Sequence, residues 1–205
     1  MTTTPMRNYA TFGQRFAAMC IDGLVFVPLM VAYQGLASVS RIAALVFTVL
    51  HAALGLVYTI YCHGRFGKTV GKWAMGIRVV RVTGEPLRWR EAWLRSVFDV
   101  CFMTVSTLGW GVALISIADS KYYGVGWSAR NVNLLTQEPV WAAWAANVDS
   151  AWIGSEVVTM LFNKQRRALH DFIAGTVVVS ERQREPVPGA AIRHCSGRGR
   201  RSEIT

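Results

Sequence analysis

Charge is what this chain has least of. Only 17% of its 205 residues are Asp, Glu, Lys or Arg, where a soluble domain carries about 25%. Acid is the scarcer sign, with 12 Asp and Glu against 22 Lys and Arg, for a net charge of +10. A basic excess can mean nucleic acid. Here the basic residues flank apolar runs instead, which argues against that partner and for a membrane. Cysteine is sparse too. Cys20, Cys62 and Cys101 fall in or at the end of apolar runs and Cys195 lies near the C-terminus. No CxxC and no zinc-type spacing occurs, so neither a structural metal nor a disulfide framework is expected. Gly67-Lys68-Thr69 has the end of a phosphate loop, but the glycine required five positions earlier is Cys62, which excludes nucleotide binding. His63, His170 and His194 show no ligand spacing. With no Ser-His-Asp or Cys-His arrangement, the reading is of a non-enzyme without a cofactor.

What is present is apolar length. The mean hydropathy is +0.29, and a helix of roughly 20 apolar residues crosses a bilayer. Phe16–Ala37, Ile42–Cys62, Ser96–Ala118 and Val140–Phe162 meet that length. The last is the most polar, with Asn147, Asp149, Glu156 and three tryptophans, and an interfacial helix is its other reading. The expected fold is an all-α membrane protein of four transmembrane helices with a small cytoplasmic β-hairpin segment, spanning residues 1–179. A basic, disordered tail over 180–205 would follow, rich in Arg, Gly, Pro and Ser. The first run is too long for the core of a signal peptide and contains Asp22, so it is expected to be kept.

Four spans put the N-terminus, the segment between spans two and three, and the C-terminal segment on one side. Those three hold 19 of the Lys and Arg residues; the opposite side holds Arg41, Lys121 and Arg130. That split predicts both termini in the cytoplasm. Within the middle segment, Ile77–Val82 has the β-branched content of a strand, Thr83–Pro86 reads as a turn and Leu87–Trp89 as a short return strand. Lys164–Ala174 reads as an amphipathic helix whose apolar face is Ala168, Leu169, Phe172 and Ile173. Gly175 stops it, and Thr176–Val179 supplies a further strand expected beside the hairpin, since a lone hairpin is marginal.

The candidate functional residues are the carboxylates in the apolar runs. Asp22 is the single ionisable side chain in its run, seven residues past Arg15, hence about 10 Å deep. Asp99 lies about 6 Å in and Glu156 about 9 Å in by the same rise. Three carboxylates from three helices therefore reach similar depth, and Asp149 shares a helix face with Glu156. A charge in the bilayer costs on the order of 2.5–3.5 kcal/mol on insertion scales, which makes each a functional candidate. Such groups bind a monovalent cation or proton, or they hold helices together. Arg95 and Asp99, and likewise Arg167 and Asp171, stand four apart and can pair. Arg15, Asp171 and Arg167 are expected to form a gate or latch at the cytoplasmic boundary.

Three stretches carry a resemblance. QRFAAMCIDGLVF supplies Arg15 and Asp22; GRFGKTVGKWAMGIRVVRVTGEPLRWREAWLRSV follows the second span; NKQRRALHDFIAGTVVV supplies Asp171. In content, order and spacing they resemble the RDD family of membrane proteins, named for one arginine and two aspartates. Asp119–Pro139, with Tyr122-Tyr123-Gly124, has no counterpart in that pattern and reads as an insertion. The resemblance implies a small multi-pass protein of the bacterial inner membrane. Some members are linked to sodium–proton antiport and others to scaffolding in membrane complexes. Both readings stand: a cation or proton transporter using Asp22, Asp99 and Glu156, or a scaffold that binds a partner protein. Four spans are few for a transporter, so a homo-oligomer is expected.

Overall fold

The structure is a computed structural model, and residues 8–181 are described. The expected tail therefore lies almost wholly outside the described residues, as do Arg7 and Cys195. Along the chain run α1 (Phe12–Val39), α2 (Arg41–Phe66), α3 (Val70–Ala74), β1 (Ile77–Arg81), α4 (Trp89–Ser116), α5 (Asp119–Tyr122), α6 (Trp127–Gln137), α7 (Val140–Phe162), α8 (Leu169–Ile173) and β2 (Thr176–Ser180).

Helices α1, α2 and α4 are long and apolar enough to cross a membrane. Helices α1 and α2 extend beyond their apolar runs at both ends, where polar residues cap them, while α4 starts earlier than its run, at Trp89, and ends within it, at Ser116. Thr11 accepts the Gln14 amide at 3.2 Å while the Gln14 side chain accepts the Thr11 N–H at 2.9 Å, a reciprocal capping box. Ser40 ends α1 and caps α2 through its hydroxyl at 3.3 Å from the Ala43 nitrogen. Gly67 closes α2 at φ 69°, and a Cβ there would stand 2.9 Å from the Val79 carbonyl oxygen. Pro28 lies inside α1, where its missing N–H leaves one helical carbonyl without a donor. Helix α7 has the expected limits, Val140–Phe162, but its polar residues keep it out of the set apolar enough to span.

The long helices pack in the order α1, α2, α4, α7. Apolar burial gathers at the two ends. One cluster joins Ala37, Ala44, Ala113, Leu114, Ile117, Tyr122 and Leu134; the other joins Ala10, Ala18, Ile77, Val79, Leu87 and Val178. At the first end, the Asp119–Pro139 segment is folded as α5 and α6. Tyr122 is fully buried there, with the guanidinium carbons of Arg41 and Arg130 each 5.2 Å from its ring centroid, a cation–π arrangement.

At the basic end β1 and β2 pair antiparallel, Val79 opposite Val178. The expected return strand is corrected. Only a bridge from Val80 to Pro86 forms, because Pro86 has no N–H to continue a ladder and Trp89 already begins α4. The third segment of the sheet comes from elsewhere: Ala10 donates to the Val178 carbonyl at 2.9 Å and Ser180 to Asn8 at 2.8 Å. The amphipathic helix is corrected too. It is only Leu169–Ile173, since Arg166 takes φ 50° and the Asn163 side chain holds the Gln165 amide at 2.7 Å. Its buried residues include Asp171 at 0% exposure, whereas Phe172 and Ile173 are 41% and 43% exposed. A carboxylate, not an apolar stripe, docks α8.

The seam between α4 and α7 is built on one glycine. A Cβ on Gly109 would stand 2.4 Å from Ala142 Cβ, whereas one on Gly154 would meet nothing within 4 Å. Gly109→Leu should destabilise the fold by about 1–3 kcal/mol through overpacking, read as a lower thermal midpoint in detergent. Gly154→Leu should leave that midpoint unchanged.

Candidate functional site

Two polar assemblies meet at the basic end. The first is centred on Asp171. Arg15 of α1 donates to its Oδ2 at 2.7 Å, and Arg95 of α4 donates to its Oδ1. Thr176 adds a hydroxyl at 3.0 Å and Ala168 its N–H at 3.1 Å. Arg95 also reaches Thr176 at 2.7 Å and His170 Nε2 at 2.9 Å. The flanking guanidiniums overcome the effect of burial and hold the Asp171 carboxyl well below the usual carboxylate range. Arg167 takes no part in the carboxylate pairing. It donates to the Asp171 and Thr176 backbone carbonyls at 2.9 and 3.0 Å and lies 4.2 Å over Phe172.

Because Arg95 supplies the donor at His170 Nε2, that nitrogen accepts and the proton sits on Nδ1. His170 Nδ1 in turn donates to Glu156 of α7. A continuous chain of bonds thus runs from Arg15 through Asp171, Arg95 and His170 to Glu156.

The second assembly is centred on Asp22. Its Oδ1 accepts the Tyr58 hydroxyl and the Gly71 N–H, both at 2.7 Å. Its Oδ2 accepts the Thr69 hydroxyl at 2.5 Å. Tyr58 itself accepts the Val70 N–H at 2.9 Å. Asp22 therefore gathers the amino end of α3, a short helix between the long ones. Gly71 permits the approach: a Cβ there would lie 1.9 Å from the Ala18 carbonyl oxygen.

Between these assemblies lies a cavity of about 590 Å³. Asp22, Asp99, Asp149 and Glu156 all line it, from α1, α4 and α7. The three carboxylates expected at one depth are thus brought to one space. Asp99 and Asp149 carry no ion pair among the described residues. Arg95 turns to Asp171 and not to Asp99, because the i, i+4 pairing competes with a fully buried carboxylate and loses. Among the described residues no His, Cys, Asp and Glu cluster has the form of a metal site.

Arg95, expected beside Asp99, is instead the second arm of the Asp171 pairing. One further residue was not picked out from the sequence. Lys72, on α3, lines the cavity although its chain position lies outside every apolar run. The signal was the close repeat of Gly and Lys in GKTVGK, which reads as a loop until α3 is seen packed on α1 and β1.

Long apolar helices around a cavity that carries buried carboxylates define a polytopic helical membrane protein. The chain belongs to the RDD family, whose family model matches residues 9–175. That match takes in the Tyr122 segment, which the sequence pattern alone set apart. No curated protein and no solved structure matches the chain.

Removing the Asp171 charge should leave two guanidiniums facing each other at the basic end. Asp171→Asn should cost about 3–5 kcal/mol, the range for breaking a buried pair, measured by thermal or denaturant unfolding in detergent. Its pKa is lowered on folding, so its contribution is complete above the ordinary carboxylate range and fades as pH falls towards the folded value. The gap between wild type and Asp171→Asn should therefore be full at neutral pH and narrow below about pH 4.

Proposed function

We propose that the protein moves a monovalent cation or proton across the bacterial inner membrane, using the cavity carboxylates. The observation that carries this reading is four carboxylates on one cavity, three of them without an ion-pair partner among the described residues. Uncompensated carboxylates inside apolar helices are costly to keep for packing alone. Of the three, Asp99 is the freest to bind, Glu156 has one oxygen engaged by His170, and Asp22 already accepts three donors. Asp22 then acts by fixing α3 against the cavity as well as by adding charge. Arg15 and Asp171 form the latch at the cytoplasmic boundary, with Arg95 rather than Arg167 as the third member.

This reading takes α7 as a fourth span, with both termini cytoplasmic. The basic residues support it: 19 fall on the side of the termini and 3 on the other. The packing order leaves α1 and α7 on either side of the cavity, an edge that a second copy of the chain would close. A homo-oligomer belongs to this proposal for that reason. The scaffold reading is favoured by no specific contact.

Flux in proteoliposomes tests it. Under a sodium or potassium gradient, wild type should exchange the cation for protons. Asp99→Asn and Glu156→Gln should insert normally and lose at least tenfold in flux, about 1.4 kcal/mol or more on the barrier. Absence of wild-type flux under every monovalent gradient would sink the transport reading. For topology, Ser128→Cys should be labelled from outside intact cells and Cys195 should not. The reverse pattern would overturn the four-span arrangement.

A further inference from the structure

The cavity contains its own cation. Lys72 projects from α3, and its ammonium makes no ion pair or hydrogen bond among the described residues. It also lines the adjoining space of about 370 Å³ that reaches Arg95 and His170. His63 lines both spaces and is 4% exposed. Its Nδ1 lies 2.8 Å from the Thr59 carbonyl oxygen and must donate to it. Its Nε2 therefore holds a lone pair, and that atom is buried without a partner. A free ammonium and a free buried acceptor thus share a cavity with carboxylates.

We propose that Lys72 is the resident cation of this cavity, and that a monovalent metal cation enters as the Lys72 ammonium releases one proton. This rests on the transport reading and gives it a stoichiometry. When no metal cation is bound, the ammonium is drawn by Asp22 and Asp171 and shares the cavity with Asp99 and Glu156. On exchange the N–H bond breaks, the electron pair stays on Nζ, and the proton leaves to water. The cation takes carboxylate oxygens, and the charge of the cavity is unchanged. Without the exchange, two cations would repel each other in a space of low dielectric.

The groups around Lys72 favour an easily lost proton. Burial and then Arg95 of α4 push its pKa down to about 8, against the opposing pull of Asp22 and Asp171. From α1, Arg15 adds repulsion. From α2, Tyr58 is committed to Asp22, and Cys62 and His63 face Lys72. From α4 and α7, Asp99 and Glu156 line the same space, and His170 of α8 is turned to Glu156. On β1, which also packs on α3, Arg78 and Arg81 are held by the Phe66 carbonyl and by Glu85. Lys72 thus exchanges its proton near the working pH of a cell, where an ordinary lysine at about 10.4 does not.

The test uses the full chain in lipid nanodiscs, pulsed with sodium or potassium chloride in weakly buffered dye, with N-methylglucamine chloride as blank. Wild type should release about one proton per cation bound, and its apparent affinity should rise about tenfold per pH unit below pH 8 and level off above it. Lys72→Met should bind the cation with no proton release and no such pH dependence. Lys72→Arg, a cation that keeps its proton, should bind it weakly at every pH, and a thermal midpoint equal to wild type's shows that each variant is folded. Equal proton release from wild type and Lys72→Met overturns the role of Lys72 and leaves the transport reading standing. No cation binding and no flux by wild type removes both.

Discussion

One buried carboxylate decides where the basic end of this molecule sits. Asp171 has no exposure to solvent and is met by two guanidiniums, one from α1 and one from α4. Neither arginine could be buried there alone, because an unpaired buried charge is expelled or neutralised. Nor could the carboxylate be buried without them. The three charges are admissible only together, so α1, α4 and α8 must converge. That convergence carries β2 to β1 and brings residues 8–10 alongside as the third segment of the sheet.

The middle of the molecule follows from the two ends. Apolar clusters close both ends, so the helices need not be packed with large apolar residues between them. The space left is lined by carboxylates among apolar side chains, and each carboxylate on it has a different fate. Asp22 is satisfied by two hydroxyls and a backbone amide. Glu156 is tied through His170 to the Asp171 assembly. Asp99 stays unpaired. This grading separates structural from chemical work among residues of the same type, and it arises from α3, which supplies the donors to Asp22 and the lysine to the cavity.

Three of the four expected spans were legible because roughly 20 apolar residues in sequence have few other uses. The pairing of Ile77–Arg81 with Thr176–Ser180 was legible from β-branched runs. The Arg15 to Asp171 contact followed from placing both at one membrane boundary. What could not be read was the choice among competing partners. Arg95 has Asp99 four residues away, yet goes to Asp171, 76 residues away, because the desolvation of a fully buried carboxylate outweighs a local pairing at the cavity wall. Helix α8 misread for the same reason. Its apolar residues suggested a packing face, while the group that fixes its orientation is polar. Lys72 was hidden by a fold-back that no local periodicity encodes in five residues of helix.

The separation of these partners along the chain also orders the making of the protein. Arg15 waits for a partner 156 residues later. Ribosomes deliver α1 and α4 well before α8, so both arginines meet the bilayer surface unneutralised. Positive charge beside an apolar segment steers its insertion, and here it is available for that task while the helices are being threaded. The last few described residues then cancel it. A nascent chain ending short of Asp171 holds every long helix but not the contact that fastens them, which makes delivery of α8 the step that commits the bundle to its final arrangement.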